Sequence, residues 1–338
     1  MATMIVLLGL LISLLVSTDA ETILGVCYGR DGDGLPSQQD VVSLYQNNNI
    51  TKMRILDPDQ ATLQALKGTN IELIIGVPND DLQSLNDQGA ANTWVKNNIQ
   101  NYPDVNFIYI AVGNEVDPDP SHGTSQYVNF VLPTMQNVQN AINAAGLGNQ
   151  IKVSTATYTG LLGNSFPPSD GAFHDDVQGF IGPIIGFLTE NNSPMLANIY
   201  PYFSDLSNLP YALFTAPGPV VTDNNNGLQY SNLFDAILDA HYAAQARLGG
   251  QNVRIVVSES GWPSAGGDAA TVENAETYYT NLINHIKGTT GTPAKPGRSI
   301  ETCLFAMFDE SNKPGVESEK HFGIFSPNQQ PKYQLSFD

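Results

Sequence analysis

Short apolar runs alternate along the chain with longer stretches in which apolar residues return every three or four positions. The short runs predict strands over 23–28, 52–56, 71–77, 107–112, 151–157, 195–200, 253–258 and 303–308. Ser37 reads as the cap of a helix whose apolar face is Val41, Val42, Leu44 and Tyr45. Further helices are predicted over 60–66, 80–101 with a break near Gly89, 126–145, 176–190, 228–247 and 274–287. A Gly, Pro and Ser loop fills 160–171, and Leu213-Phe214 with Val220-Val221 reads as a small hairpin.

Strand and helix alternate throughout, with no linker and no shift in composition. Such alternation implies parallel strands joined by helical crossovers. Eight units in one chain of 338 residues fit a single closed (β/α)₈ barrel over residues 21–338. An open doubly wound sheet is the alternative. The first turn lacks its phosphate-binding glycine fingerprint, since Gly32 and Gly34 lie in a loop that runs into Pro36.

Residues 1–20 change the picture at one end only. Met1 to Val16 is short and apolar, and Ser17-Thr18-Asp19-Ala20 supplies small residues at a cleavage site, which predicts a secretory signal. No other stretch is long and apolar enough to span a bilayer, and no hydrophobic tail precedes Asp338. Fourteen Lys and Arg against 33 Asp and Glu give a net charge of −19. That surface repels nucleic acid and anionic membranes, so a neutral partner and a monomeric, extracellular protein are expected. Cys27 and Cys303 are the two cysteines, read as buried free thiols with a bridge as the alternative. Asn49-Ile50-Thr51 and Asn191-Asn192-Ser193 make Asn49 and Asn191 candidate glycosylation acceptors. His122, His174, His241, His285 and His321 show no metal-ligand spacing, so no metal site is expected.

Two of the strands end in a carboxylate. Phe107 to Val112 leads through a tight turn into Asn114-Glu115, and Val253 to Ser258 leads into Glu259. In a barrel the C-terminal strand ends form the active site, so these glutamates and the strand-end tyrosines Tyr28, Tyr200 and Tyr202 should converge on one cleft. A lone strand-end glutamate is commonly a solvated loop charge. Two in matching contexts are the minimum equipment for cleaving a glycosidic bond.

The same residues carry a resemblance. Ile-Ala-Val-Gly-Asn-Glu-Val at 110–116 and Val-Val-Ser-Glu-Ser-Gly-Trp-Pro-Ser at 256–264 resemble the signatures of the plant β-1,3-glucanases of glycoside hydrolase family 17. The blocks at 24–29, 52–55, 198–203 and 304–310 agree, so the resemblance runs from about Thr22 to Phe337. It implies a (β/α)₈ barrel and retaining endo-hydrolysis of β-1,3-glucan, such as callose or fungal cell-wall glucan, without metal or cofactor. By the resemblance Glu115 is the acid/base and Glu259 the nucleophile. Asn114 would reach the sugar 2-hydroxyl and Tyr200 would donate to Glu259. Tyr28 and Phe203 would line the groove, Phe203 reading equally well as a core aromatic. Glu310 and Lys313 would meet substrate or pair with each other, Glu301 would support the catalytic site, and Trp262 would pack the loop after Glu259.

Leu56 stands where the family usually has tyrosine, and Cys303 where an aromatic is common. Two rivals remain open: a β-1,3-1,4-glucanase with the same motifs, and a catalytically silent glucan-binding defence protein.

Overall fold

The computed structural model describes residues 23–337, so the expected signal segment, Met1 to Ala20, lies outside the described residues. Eight parallel strands close into a barrel: β1 (Leu24–Tyr28), β2 (Lys52–Ile55), β3 (Glu72–Val77), β4 (Asn106–Asn114), β5 (Lys152–Tyr158), β6 (Met195–Asn198), β7 (Ile255–Ser260) and β8 (Thr302–Leu304). Each pairs with its neighbours in chain order, and β1 pairs with β8 to close the ring. The predicted (β/α)₈ barrel is the fold observed.

The helices covering it are α1 (Gln38–Asn47), α2 (Gln60–Leu66), α3 (Gln88–Val95), α4 (Val128–Ala144), α5 (Asp175–Glu190), α6 (Leu233–Arg247) and α7 (Val272–Lys287). Several begin at the side-chain caps that the sequence offers. Ser37 accepts from Asp40 N, Asp59 from Thr62 N, Asn232 from Asp235 N and Thr271 from Asn274 N. The break expected near Gly89 falls earlier, because Asp87 caps α3 by accepting from Ala90 N. The expected hairpin is also displaced. Leu213 ends a short helical turn, and the paired strands are Val221–Thr222 with Gln229–Tyr230. Among the described residues, no helix is long and apolar enough to cross a membrane.

Strand alternation divides the core in two. Val26, Tyr28, Met53 and Ile55 point outward into the layer under the helices, whereas Cys27, Ile74, Ala111, Leu196, Val256 and Cys303 fill the barrel. Tyr28 is thus buried edge-on against Phe308 outside the barrel wall, which corrects its expected place in the groove. Cys27 and Cys303 are buried free thiols.

The barrel interior is layered along its axis: charged at the bottom, apolar in the middle, polar at the top. β2 shows why. Lys52 and Arg54 both point inward and lie two residues apart, about 6.6 Å along the strand. At the lower end Lys52 pairs with Glu301, which also accepts from Arg254 at 2.6 Å and from the Tyr109 hydroxyl at 3.1 Å. Glu301 precedes β8, so it sits at the end of the barrel opposite Glu259, and its expected support of the catalytic site is corrected to a structural role. Replacing Glu301 with alanine removes the buried carboxylate shared by Lys52, Arg254 and Tyr109, and leaves Lys52 with the partly exposed Glu72 at 3.3 Å. A loss of about 3 kcal/mol in urea unfolding is expected, with KM for substrate unchanged. Unchanged stability would remove this network from the fold's support.

Candidate active site

At the upper end the strands open into a cleft of about 770 Å³, lined by Glu115 and Glu259 together with Asn114, Asn198, Tyr200, Phe203 and Lys313. Register irregularities lie next to both glutamates. In β4 the pairing with β5 shifts between Ala111 and Asn114, and in β7 the pairing with β6 shifts between Val257 and Glu259. A bulge inserts a residue and re-aims the side chains after it. Val256 and Ser258 already point into the barrel, so unbroken alternation would turn Glu259 outward. The bulge brings it into the cleft instead. In β4 the same device presents the consecutive residues Asn114 and Glu115 to one cavity.

The turn after β4 holds this arrangement. Gly113 has φ +74 and Glu115 has φ +50, the left-handed region that residues with a Cβ rarely adopt. Asn79 grips the backbone between them, accepting from Asn114 N at 2.8 Å and donating to Asn114 O at 2.9 Å. Glu115 N donates to Ala156 O at 2.9 Å, which ties the turn to β5.

Buried donors surround both carboxylates. Arg54 Nη1 reaches Glu259 Oε1 at 2.7 Å, and the Tyr200 hydroxyl reaches Oε2 at 2.7 Å, as expected for Tyr200. Burial first, and then the Glu259 charge, hold the Tyr200 hydroxyl well above its ordinary pKa, so it remains a donor. Asn198 donates to Glu115 Oε1 at 2.7 Å and accepts from Arg54 Nη1 at 3.1 Å. Asn198 and Arg54 thus bridge the two glutamates. Burial, followed by the nearby Glu259 charge, pushes the Glu115 carboxyl up to about 7 against the Asn198 hydrogen bond. Asn114 Oδ1 accepts from Arg54 Nη2 at 2.8 Å and from Asn198 at 3.2 Å.

The other expected residues separate. Phe203 is 50% exposed on the cleft wall, edge-on to Tyr200, so of its two readings the groove position is the one observed. Lys313 lies over the Phe305 ring at 4.7 Å and pairs with Glu319 at 2.9 Å, both in the cleft lining. The salt bridge weighed as the alternative for Lys313 is thus made with Glu319. Glu310 is buried beneath the loop after β1, where a Cβ on Gly29 would stand 2.0 Å from its Oε1. It accepts from Asp31 N at 3.5 Å and is corrected from a substrate contact to a loop support. Trp262 is fully buried and donates to Ala269 O at 3.0 Å, the packing role expected. Asn191 caps α5 and donates to Phe187 O at 2.9 Å, while Asn49 follows α1 with φ +57.

Sequence reading assigned no role to Arg54, Asn79, Asn198 or Glu319. Arg54 carried a usable signal: a cation between Met53 and Ile55 in a buried strand needs an anion facing it. Glu319 had none, standing in an ordinary charged run from Glu317 to Lys320.

The model of the glycosyl hydrolases family 17 matches residues 24–337, nearly the whole described chain. This chain belongs to that family. A glucan endo-1,3-beta-glucosidase of Vitis vinifera is 61% identical over 340 residues, which cover 98% of this chain and 96% of its own. The acidic isoform GI9 of a Nicotiana tabacum glucan endo-1,3-beta-glucosidase is 56% identical, covering 100% and 97%. Among solved structures, CJP38, a beta-1,3-glucanase and pollen allergen of Cryptomeria japonica, superimposes with a TM-score of 0.89 at 50% identity, over 93% of this chain and 99% of its own. A structure from a study of two plant beta-glucan endohydrolases with distinct substrate specificities gives 0.86 at 45%, over 92% and 99%. Membership of family 17 makes the cleft a glycosidase site and its two glutamates the candidate catalytic pair.

Proposed function

We propose that the protein is a secreted endo-β-1,3-glucanase that cleaves β-1,3-glucan with retention, Glu259 acting as nucleophile and Glu115 as acid/base. The observation that carries this reading is the bridged pair of glutamates in one open cleft, one of them with its pKa raised to about 7. The similar plant proteins are named glucan endo-1,3-beta-glucosidases, which supports endo cleavage. The names of the similar plant proteins support the β-1,3 linkage. The apolar leader Met1 to Val16 supports secretion.

Each role follows from the contacts. Glu259, faced by a guanidinium and a phenol, attacks the anomeric carbon as the glycosidic bond breaks. Glu115 enters protonated and gives its proton to the departing oxygen. Once Glu259 is esterified its charge is gone, the main electrostatic reason for the raised Glu115 pKa disappears, and Glu115 can accept a proton from the attacking water. Retention asks for carboxyls about 5–5.5 Å apart, and the joint grip of Asn198 and Arg54 supports that approach. Asn114 has its oxygen occupied by Arg54 and Asn198, which leaves its Nδ2 to donate to the sugar 2-hydroxyl.

A β-1,3-1,4-glucanase is the second reading, since a similar solved structure comes from a pair of plant beta-glucan endohydrolases whose substrate specificities differ. Reducing-end release from laminarin and from a cereal mixed-linkage glucan separates the two. Laminarin is expected to be the better substrate by kcat/KM, and a preference for the mixed-linkage polymer would reverse the assignment. A protein that cleaves neither would be the silent binder.

A further inference from the structure

Two phenylalanines stand out from this surface, and the catalytic cleft accounts for one. Among the described residues the exposed large hydrophobic side chains are Phe166, Phe203 and three valines. Phe203 lines the cleft. Phe166, 68% exposed, directly follows Ser165, which also lines the cleft. Its backbone therefore continues directly from the wall residues Tyr158 to Ser165, one residue beyond the lining.

A solvated phenyl ring is stabilised by any apolar face that covers it. The loop that carries Phe166 is tied down. On the far side of Phe166, Ser169 donates from its backbone N at 2.9 Å and from its hydroxyl at 3.0 Å to Asp223, whose carboxylate is fully buried. Arg247 Nε then holds Gly171 O at 2.8 Å. On the near side Phe166 N donates to Asn164 Oδ1 at 3.2 Å, and Leu162 pairs with Phe173 across a short antiparallel ladder. Anchors on both sides fix the backbone that carries the ring. An exposed aromatic side chain on an anchored backbone beside a polysaccharide cleft offers its flat face to the C–H face of a pyranose ring, with little backbone ordering left to lose on contact.

We propose that Phe166 is a stacking platform for a glucosyl unit of the bound chain, remote from the bond that is cut, and that it sets a preference for long over short glucans. This deepens the reading of the cleft as a β-1,3-glucan site and rests on it. The test is kcat/KM for wild type, Phe166→Ala and Phe166→Trp on laminari-oligosaccharides from the trisaccharide to the heptasaccharide, and on laminarin. Phe166→Ala is expected to lose roughly tenfold, equivalent to about 1.4 kcal/mol, on the heptasaccharide and laminarin. The loss should appear mainly in KM and shrink as the substrate shortens. Phe166→Trp should keep the wild-type dependence on length, and neither change should move Tm. A loss equal at every length, or none on laminarin, removes the platform and leaves the substrate class standing. A wild type inert towards every β-1,3 oligomer overturns the substrate class and the platform with it.

Discussion

Replacing Glu259 with alanine is expected to lower turnover of laminarin on the order of 10⁴-fold, about 5.5 kcal/mol in barrier height. The reason is specific to its position. Arg54 and Tyr200 both donate to the Glu259 carboxylate, and among the described residues their contacts include no other carboxylate that could take its place as the proposed nucleophile. The substitution leaves Arg54 with neutral oxygens to bind, those of Ser258, Asn198 and Asn114, so the barrel should remain folded. Glu259→Gln, which keeps the shape, serves as the check on that point. Azide fits the vacated space and attacks an activated β-glucoside from the same side, so turnover should return with an α-glucosyl azide as product. Full activity in the alanine variant, or a β-azide, would move the nucleophile elsewhere.

Glu115→Ala should lose about 10²–10⁴-fold on laminarin but far less on a dinitrophenyl laminarioside, whose leaving group needs no proton. Its signature is in the pH profile. In the proposed mechanism the acid form of Glu115 acts in the first step, and its pKa is raised to about 7 by burial and by Glu259. Wild-type kcat/KM should therefore hold on the acid side of that value and fall as pH rises through about 7. The alanine variant, assayed on the dinitrophenyl substrate, should lack this alkaline limb. Added azide now intercepts the glycosyl-enzyme, and the product should be the β-azide, opposite in configuration to that from Glu259→Ala. An alkaline limb that survives in Glu115→Ala would assign it to another group.

Much of this protein was legible as pattern. Apolar runs at strand length separated by amphipathic helices pointed to the closed parallel barrel, since that alternation has few compact solutions. The two glutamates were legible because each follows an apolar strand, and parallel strands deliver their ends to one face. Tyr200 and Trp262 also stand where their motifs placed them.

The errors share one cause. Glu301 and Glu259 both border barrel strands, but one precedes its strand and the other ends its strand, so the barrel carries them to opposite mouths. Tyr28 adjoins the cleft in sequence, yet alternation turns its ring outward under the helices. Glu310 and Lys313 are near neighbours in sequence, but Lys313 finds Glu319 while Glu310 folds beneath Gly29. Closeness along the chain did not predict closeness in space.

The amino-acid order by itself determined the succession of the barrel strands and covering helices, because side-chain period and capping act within a few residues of one another. It also determined the chemical equipment, two carboxylates at strand ends. Where each side chain points was decided only on barrel closure. The bulges beside Asn114 and Glu259 depend on pairing between strands far apart in sequence, as does the meeting of Arg54 with a glutamate 205 positions away. Such contacts are set by register and packing, which no local pattern encodes.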